Sequence, residues 1–154
     1  MDERKQVEFF FLTPGWTGED GELSQTGIGQ VQSAAQDHIA DLGGWRGEIH
    51  HGRGVLVTQT ALVACAIIGS GLSVLDEGLK DVMSEHELRA WMYEQATEGE
   101  SLVVVAVLPY EIANQANDAD EEVIVQDGAV VHYVCQLSPL GLVITRSETL
   151  GILF

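Results

Sequence analysis

The sequence predicts an α/β fold: a three-layer α/β/α sandwich on a mainly parallel central sheet. Three observations carry that prediction. Short apolar runs alternate along the chain with segments whose apolar residues recur at spacings of three and four. Two of the runs, Val7 to Leu12 and Leu102 to Leu108, are near-continuously apolar, the pattern of strands covered on both faces. Late in the chain, strand-like runs separated by turn signals add a β meander. Alternation of strand and helix followed by a meander is the pattern of a layered α/β domain.

The elements follow in order. Val7 to Leu12 reads Val-Glu-Phe-Phe-Phe-Leu, a central strand stopped by Pro14 and Gly15. Trp16 to Glu22 is polar and glycine-rich, hence a loop. Ser24 can cap a helix whose face is Ile28, Val31, Ala35, Ile39 and Leu42, and Gly43-Gly44 is expected to end it. Gly54 to Val57 reads as a second strand and Thr60 to Ile68 as a buried helix. Gly69-Ser70-Gly71 breaks that helix before a short strand at Leu72 to Leu75. Ser84 and Glu87 form a capping box for a helix with the face Leu88, Trp91, Met92 and Ala96. After the strand at 102–108, Pro109 is placed to begin a short helix reaching about Asn117. Val123 to Val125, Ala129 to Gln136 and Leu142 to Arg146 complete the strands, with Asp127-Gly128 a hairpin signal. No repeat or linker interrupts the 154 residues, so one domain, 1–154, is expected.

Composition bounds the function. Seven Lys and Arg face 24 Asp and Glu, a formal charge of −17. Such a surface repels nucleic acid and anionic membranes, and it disfavours phosphorylated substrates unless the few cations gather in one pocket. No apolar run is long enough for a membrane helix. The charged start, Met1-Asp2-Glu3-Arg4-Lys5, leads into a strand and not a signal-peptide core, so a cytoplasmic location is expected. Cys65 and Cys135 lie in apolar runs and read as buried free thiols. Without a Cys-x-x-Cys pair no structural zinc is expected, and nothing calls for a cofactor.

Ligands of open α/β sheets sit at the carboxyl ends of central strands. The segments there are 13–18, 58–62 and 106–110. Phe10-Phe11-Leu12-Thr13-Pro14-Gly15-Trp16-Thr17, Leu23-Ser24-Gln25-Thr26-Gly27, Val55-Leu56-Val57-Thr58-Gln59-Thr60-Ala61-Leu62 and Val103-Val104-Val105-Ala106-Val107-Leu108-Pro109 follow one another along the chain. In that order they resemble the signature regions of the histidine phosphatase superfamily, the phosphoglycerate mutase-like proteins, with the small phosphohistidine phosphatase branch nearest in length. The family patterns are a strand then Arg-His-Gly-x-Thr, a Leu-Thr-x-x-Gly helix start, a strand then Ser-Pro-Leu-x-Arg, and a strand then Gly-His-x-Pro. The resemblance spans most of the chain and implies the phosphoglycerate mutase-like fold.

Residue by residue, the resemblance implies a dismantled site. The histidine that is phosphorylated in the family corresponds to Pro14, and the arginine before it to Thr13. The second-motif arginine falls near Leu62, in a register open by one or two residues, and the later histidine falls on Val107. Phosphoryl transfer needs positioning and neutralised charge, and a nucleophile needs an activating base. None of these four side chains supplies either. The degenerate pocket would then be lined by Thr13, Pro14, Gly15, Trp16, Thr58, Gln59, Leu62, Val107, Pro109 and Tyr110. Trp16 and Tyr110 either fill the space the phosphate would take or present an apolar surface to a partner.

Other chemistry is weaker. Thr13 has no base nearby in sequence. His50 and His51 on a strand would face opposite ways. His51-Gly52-Arg53-Gly54 resembles a phosphate loop, but it precedes the expected strand and so lies at the wrong end of the sheet. His38, His86 and His132 read as structural. Asp118, Asp120, Glu121 and Glu122 lack the spacing of a calcium loop. The expectation is a non-catalytic, pseudo-phosphatase domain for binding or scaffolding. Its ligand would be an unidentified protein partner or a neutral small molecule, with a homo-oligomer allowed and no metal. The alternatives are a phosphatase or hydrolase with relocated residues, and a small-molecule-binding α/β domain.

Overall fold

Phe9, Phe10, Phe11 and Leu12 leave their strand no polar face to give to solvent, and all four are buried in the computed structural model of the chain. The structure describes residues 5–43, 45–69, 72–80, 82–98, 102–109, 112 and 128–150. Their strand, β1 (Lys5–Leu12), is followed by α1 (Gln25–His38), β2 (Trp45–His51), α2 (Val55–Ile68), β3 (Leu72–Leu75), α3 (Glu85–Glu98), β4 (Val103–Val107), β5 (Val130–Ser138) and β6 (Gly141–Leu150). The sheet order is β3-β2-β4-β1-β5-β6. The pairs β2/β3, β2/β4 and β1/β4 are parallel, and β1/β5 and β5/β6 are antiparallel. The sheet is therefore mainly parallel with an antiparallel meander on one side.

The alternation along β1 builds two cores. Phe9 and Phe11 pack with Leu88, Trp91 and Met92 of α3, and with Tyr133 of β5. Phe10 and Leu12 pack on the other face with Val31 and Ala35 of α1 and with Val57, Ala61 and Ala64 of α2. Helices thus cover both faces, giving the three layers the sequence predicts. His132 stays structural: its ring stacks on Phe10 at 4.1 Å and meets Glu8 at 2.9 Å and Glu148 at 3.1 Å, tying β1, β5 and β6 together.

Capping fixes two helix starts where the sequence places them. The Ser24 side chain accepts from the Gly27 N–H, and Ser84 and Glu87 exchange both bonds of a capping box. α1 ends a turn earlier than Gly43-Gly44, because the chain leaves the helix at Ile39, whose side chain is fully buried. The predicted helix after Pro109 and the strand at 123–125 lie outside the described residues, apart from buried Ile112, as do Asp127 and the acidic cluster at 118–122.

One reading of the sequence is overturned. Gly54 to Val57 is not a strand: Gly54 is the N-cap and Val55 opens the helix that runs to Ile68. The second strand is instead Trp45–His51, where burial alternates and ends on buried Ile49 and His51. Two valines in three residues mimic a strand, but no breaker separates them from the apolar helical run that follows. Nor is that helix buried all round. Val57, Thr60, Ala61 and Ala64 face the core, while Val55, Leu62 and Ile67 face solvent.

Candidate functional site: the loops at the carboxyl ends of β1, β4 and β2

The three central strands end in register. Leu12 of β1 pairs with Val107 of β4, and His50 of β2 pairs with Ala106, which sets His51 beside Val107. The loops that leave these ends form one surface, and the first loop is locked at every residue from 13 to 16.

Thr13 is fully buried. Its hydroxyl accepts from the Ala129 N–H at 2.9 Å and donates to the Ala129 carbonyl at 3.2 Å, and its own N–H donates to that carbonyl at 2.9 Å. The Pro14 carbonyl accepts from the Gly128 N–H at 2.9 Å. Gly15 is pressed against α1: a Cβ there would lie 2.2 Å from the Gly27 carbonyl oxygen, and a Cβ on Gly27 would lie 2.2 Å from the Trp16 carbonyl oxygen. Only two glycines allow backbones to approach so closely. The Trp16 N–H donates to Gln30 Oε1 at 2.9 Å, and its carbonyl accepts from the Ser24 N–H and hydroxyl. The Trp16 backbone is thereby fixed while its side chain is 57% exposed.

α2 holds the next corner. Gln59 Oε1 accepts from the Leu23 N–H at 2.9 Å, joining the first loop to α2. Thr58 donates weakly to the Gly52 carbonyl at 3.4 Å. Val107 is buried under α1 and α2, Pro109 is half-buried, and the Leu108 N–H donates to the Leu12 carbonyl at 3.0 Å. Tyr110 lies outside the described residues. The structure thus brings together Thr13, Pro14, Gly15, Trp16, Gln59 and Val107, with Thr58 and Pro109 alongside. It does not bring Leu62 to them, since that residue is the eighth of α2 and faces solvent. Counted from the true end of β2, with Gly52 at the serine position, the Ser-Pro-Leu-x-Arg pattern runs over Gly52-Arg53-Gly54-Val55-Leu56. The arginine position moves to half-buried Leu56, which is as uncharged as Leu62.

The corrected strand end reveals what sequence reasoning placed at the wrong end of the sheet. His51-Gly52-Arg53-Gly54 follows a strand and so belongs to the ligand-binding edge. His51 is only 6% exposed, and its Nδ1 donates to the Gly52 carbonyl at 2.7 Å. That bond fixes the hydrogen on Nδ1 and leaves the lone pair of a neutral ring on Nε2. Arg53 is exposed and forms a two-pronged pair with Glu77, with Nε at 3.0 Å from Oε2. The pairing raises the Arg53 pKa above its ordinary value and lowers that of Glu77. His50 points to the opposite face, edge-on to Trp91, with Nδ1 3.3 Å from Asp76 Oδ2 but off line for a hydrogen bond. The signal that could have located this corner is the alternation of Trp45, Gly47, Ile49 and His51 with polar residues. Among the described residues, no group of three or more His, Cys, Asp or Glu is placed to hold a metal ion. No helix among them is long and apolar enough to cross a membrane.

No protein-family model matches the chain, and no curated protein matches it. Solved structures do. The tungstate complex of the protein histidine phosphatase SixA superposes with a TM-score of 0.71 at 10% identity, over 93% of this chain and 97% of that one. A mycobacterial glucosyl-3-phosphoglycerate phosphatase gives 0.67 at 14% identity, over 85% and 91%. A phosphoserine phosphatase variant from Entamoeba histolytica, bound to phosphoserine, gives 0.60 at 13% identity, over 92% and 96%. The chain has the fold of the histidine phosphatase superfamily, the phosphoglycerate mutase-like fold.

Proposed function

We propose that the chain is a catalytically silent domain on the histidine phosphatase fold, retained to bind and not to turn over. The observation that carries this reading is the loop after β1. Its family nucleophile position is Pro14, which has no basic or nucleophilic atom, and the adjacent Thr13 hydroxyl is committed to the Ala129 backbone. Losing one charge-stabilising donor in comparable sites already costs about 2.7–4 kcal/mol of barrier, and a missing nucleophile removes the mechanism itself. The ligand class we favour is a protein or neutral small molecule that meets the exposed Trp16, in the cytoplasm. The charge of −17 opposes nucleic acid and anionic membranes.

The test is hydrolysis of p-nitrophenyl phosphate and of a phosphohistidine peptide, with vanadate binding followed by calorimetry. Neither turnover nor vanadate binding is expected. Turnover abolished by a substitution in residues 13–16 would overturn the proposal.

One observation favours a second reading, a hydrolase with relocated chemistry. His51 stands at the carboxyl end of β2 with its tautomer fixed, as a base or nucleophile requires. Turnover lost in His51→Asn but kept in Thr13→Val would select this reading over the first.

A further inference from the structure

Of the three tryptophans, Trp91 is buried, Trp45 is half-buried, and Trp16 alone leaves more than half of its surface to solvent. Its backbone is nevertheless held on both sides, by Gln30 of α1 at the N–H and by Ser24 at the carbonyl. A large ring on a fixed mounting loses little freedom when a partner covers it, which suits it to be an anchor. Apolar surface continues beside it. Thr17 bridges half-buried Leu23, and Gln59 of α2 accepts from the Leu23 N–H at 2.9 Å. Val55, one turn before Gln59 on the same face of α2, is exposed.

Charge decides what covers this ring. From Gln6 to Trp45 the chain has six carboxylates and no Lys or Arg. Three of the six, Glu19, Asp20 and Glu22, lie in the loop that follows Trp16, and all three are exposed. That loop is closed on itself: the Gly18 N–H donates to the Glu22 carbonyl at 2.7 Å, and the Glu22 N–H donates to Asp20 Oδ1 at 3.0 Å. Among the described residues no cation pairs with these three carboxylates, and Arg53 of the β2 loop belongs to Glu77. An exposed indole beside unpaired carboxylates is a surface that a guanidinium fits. Its planar fork pairs with carboxylate oxygens, and its face stacks on an aromatic ring. An anionic ligand would be repelled here, and a neutral one would leave the carboxylates without a role. We propose that Trp16 and the loop at 17–23 are the docking surface for an arginine-bearing segment of a partner protein. One guanidinium lies on the indole, and further basic residues meet Glu19, Asp20 and Glu22. The proposal rests on the reading of the strand-end loops as a binding site without turnover, and it names what they bind.

Fluorescence anisotropy of the full chain with fluorescein-labelled hexa-arginine tests it. The salt belongs at about 0.15 M, where a screening length of about 8 Å suppresses diffuse attraction to an acidic protein. Saturable binding is expected, with hexa-lysine weaker by at least about threefold, since an ammonium does not stack as a guanidinium does. Trp16→Ala should raise the hexa-arginine Kd at least about fivefold and erase the preference over hexa-lysine. Circular dichroism should not change, because the ring is exposed. Glu19→Gln/Glu22→Gln should weaken binding by a similar factor. Asp37→Asn/Asp41→Asn removes as much charge from exposed positions at the far end of α1, and should change the Kd by less than about twofold. Absence of saturable binding would overturn the proposal. So would equal weakening by the two charge-removing pairs, or an arginine preference that survives Trp16→Ala. Any of these in a chain that hydrolyses neither p-nitrophenyl phosphate nor the phosphohistidine peptide leaves the silent fold standing. Turnover in those assays instead overturns the reading on which this proposal rests.

Discussion

Gly15 and Gly27 are where single atoms decide the first loop. Each would drive a Cβ to 2.2 Å from a backbone oxygen, and backbone cannot rotate away as a side chain can. Gly15→Ala should therefore destabilise the chain by about 2–4 kcal/mol in urea unfolding, by the arithmetic of overpacking. Gly29, on α1 with nothing within 4 Å of its Cβ position, is the control. Gly29→Ala should stabilise by about 0.5–1 kcal/mol, because a helical alanine loses less entropy on folding. Equal and small effects at the two sites would mean that the loop does not sit against α1. Thr13 makes a second case. Thr13→Val strips the hydrogen bond that the buried Ala129 N–H donates to the Thr13 hydroxyl and should cost about 1–3 kcal/mol, while Thr13→Ser should recover most of it. A third case is Cys135, fully buried, whose thiol burial pushes up to about 12 from an ordinary value of 9.0. The folded state holds the proton more tightly than the unfolded chain does. Stability from this group is therefore whole below about pH 9 and is lost as pH rises toward about 12. Cys135→Ala should flatten that alkaline loss, and a wild-type profile no steeper than the variant's would contradict the assignment.

Elements show how far local signals reach. β1, β4 and α3 were legible because each carries one unambiguous pattern. β4 is an uninterrupted apolar run, β1 is near-continuously apolar from Val7 to Leu12 with only Glu8 between, and α3 opens on a capping box and buries Leu88, Trp91, Met92 and Ala96 as its spacing requires. β2 and α2 were misread together, and for one physical reason. β-branched Val55 and Val57 carry strand propensity, but propensity is weak beside tertiary packing, and here Val57 packs from α2 into the core over the sheet while Val55 opens the helix on its exposed side. With the strand displaced, His51 and Arg53 were assigned to the wrong end of the sheet, and the arginine position was set at Leu62. The first strand-end loop is placed by residues adjacent to the best-defined strand, and the structure puts Thr13 to Trp16 at the carboxyl end of β1. What no local pattern could show is the closure of that loop by 128–129, which lie more than a hundred residues away. The α1 start is the most testable of the elements. Ser24 accepts from the Gly27 N–H and donates to the Trp16 carbonyl, so its side chain caps the helix and pins the loop at once. Ser24→Ala should cost about 1–2 kcal/mol, the upper part of the range for a cap. It should also raise hydrogen exchange at the amides of 15–17, and an effect confined to α1 would separate the cap from the loop.

At the scale of the whole molecule, charge is the dominant quantity: 24 Asp and Glu face seven Lys and Arg. A phosphatase pocket draws anions by gathering cations. This chain has seven Lys and Arg in all, and Arg53, two residues past the end of β2, is already held by Glu77. The compact state also confines an excess of 17 negative charges, and their mutual repulsion opposes folding. That repulsion acts between exposed groups across solvent, so salt screens it, with a Debye length of about 10 Å at 0.1 M and about 3 Å at 1 M. The few exposed ion pairs, such as Lys80–Glu87 and Arg89–Glu85, weaken with salt too, but exposed pairs of this kind contribute little. The net repulsion is the larger quantity. Sodium chloride should therefore raise the melting temperature steadily, by at least about 3 °C between low salt and 1 M, the shift that about 1 kcal/mol gives a domain of this size. A Tm that falls with salt would mean that ion pairs, and not net repulsion, govern the stability of this chain.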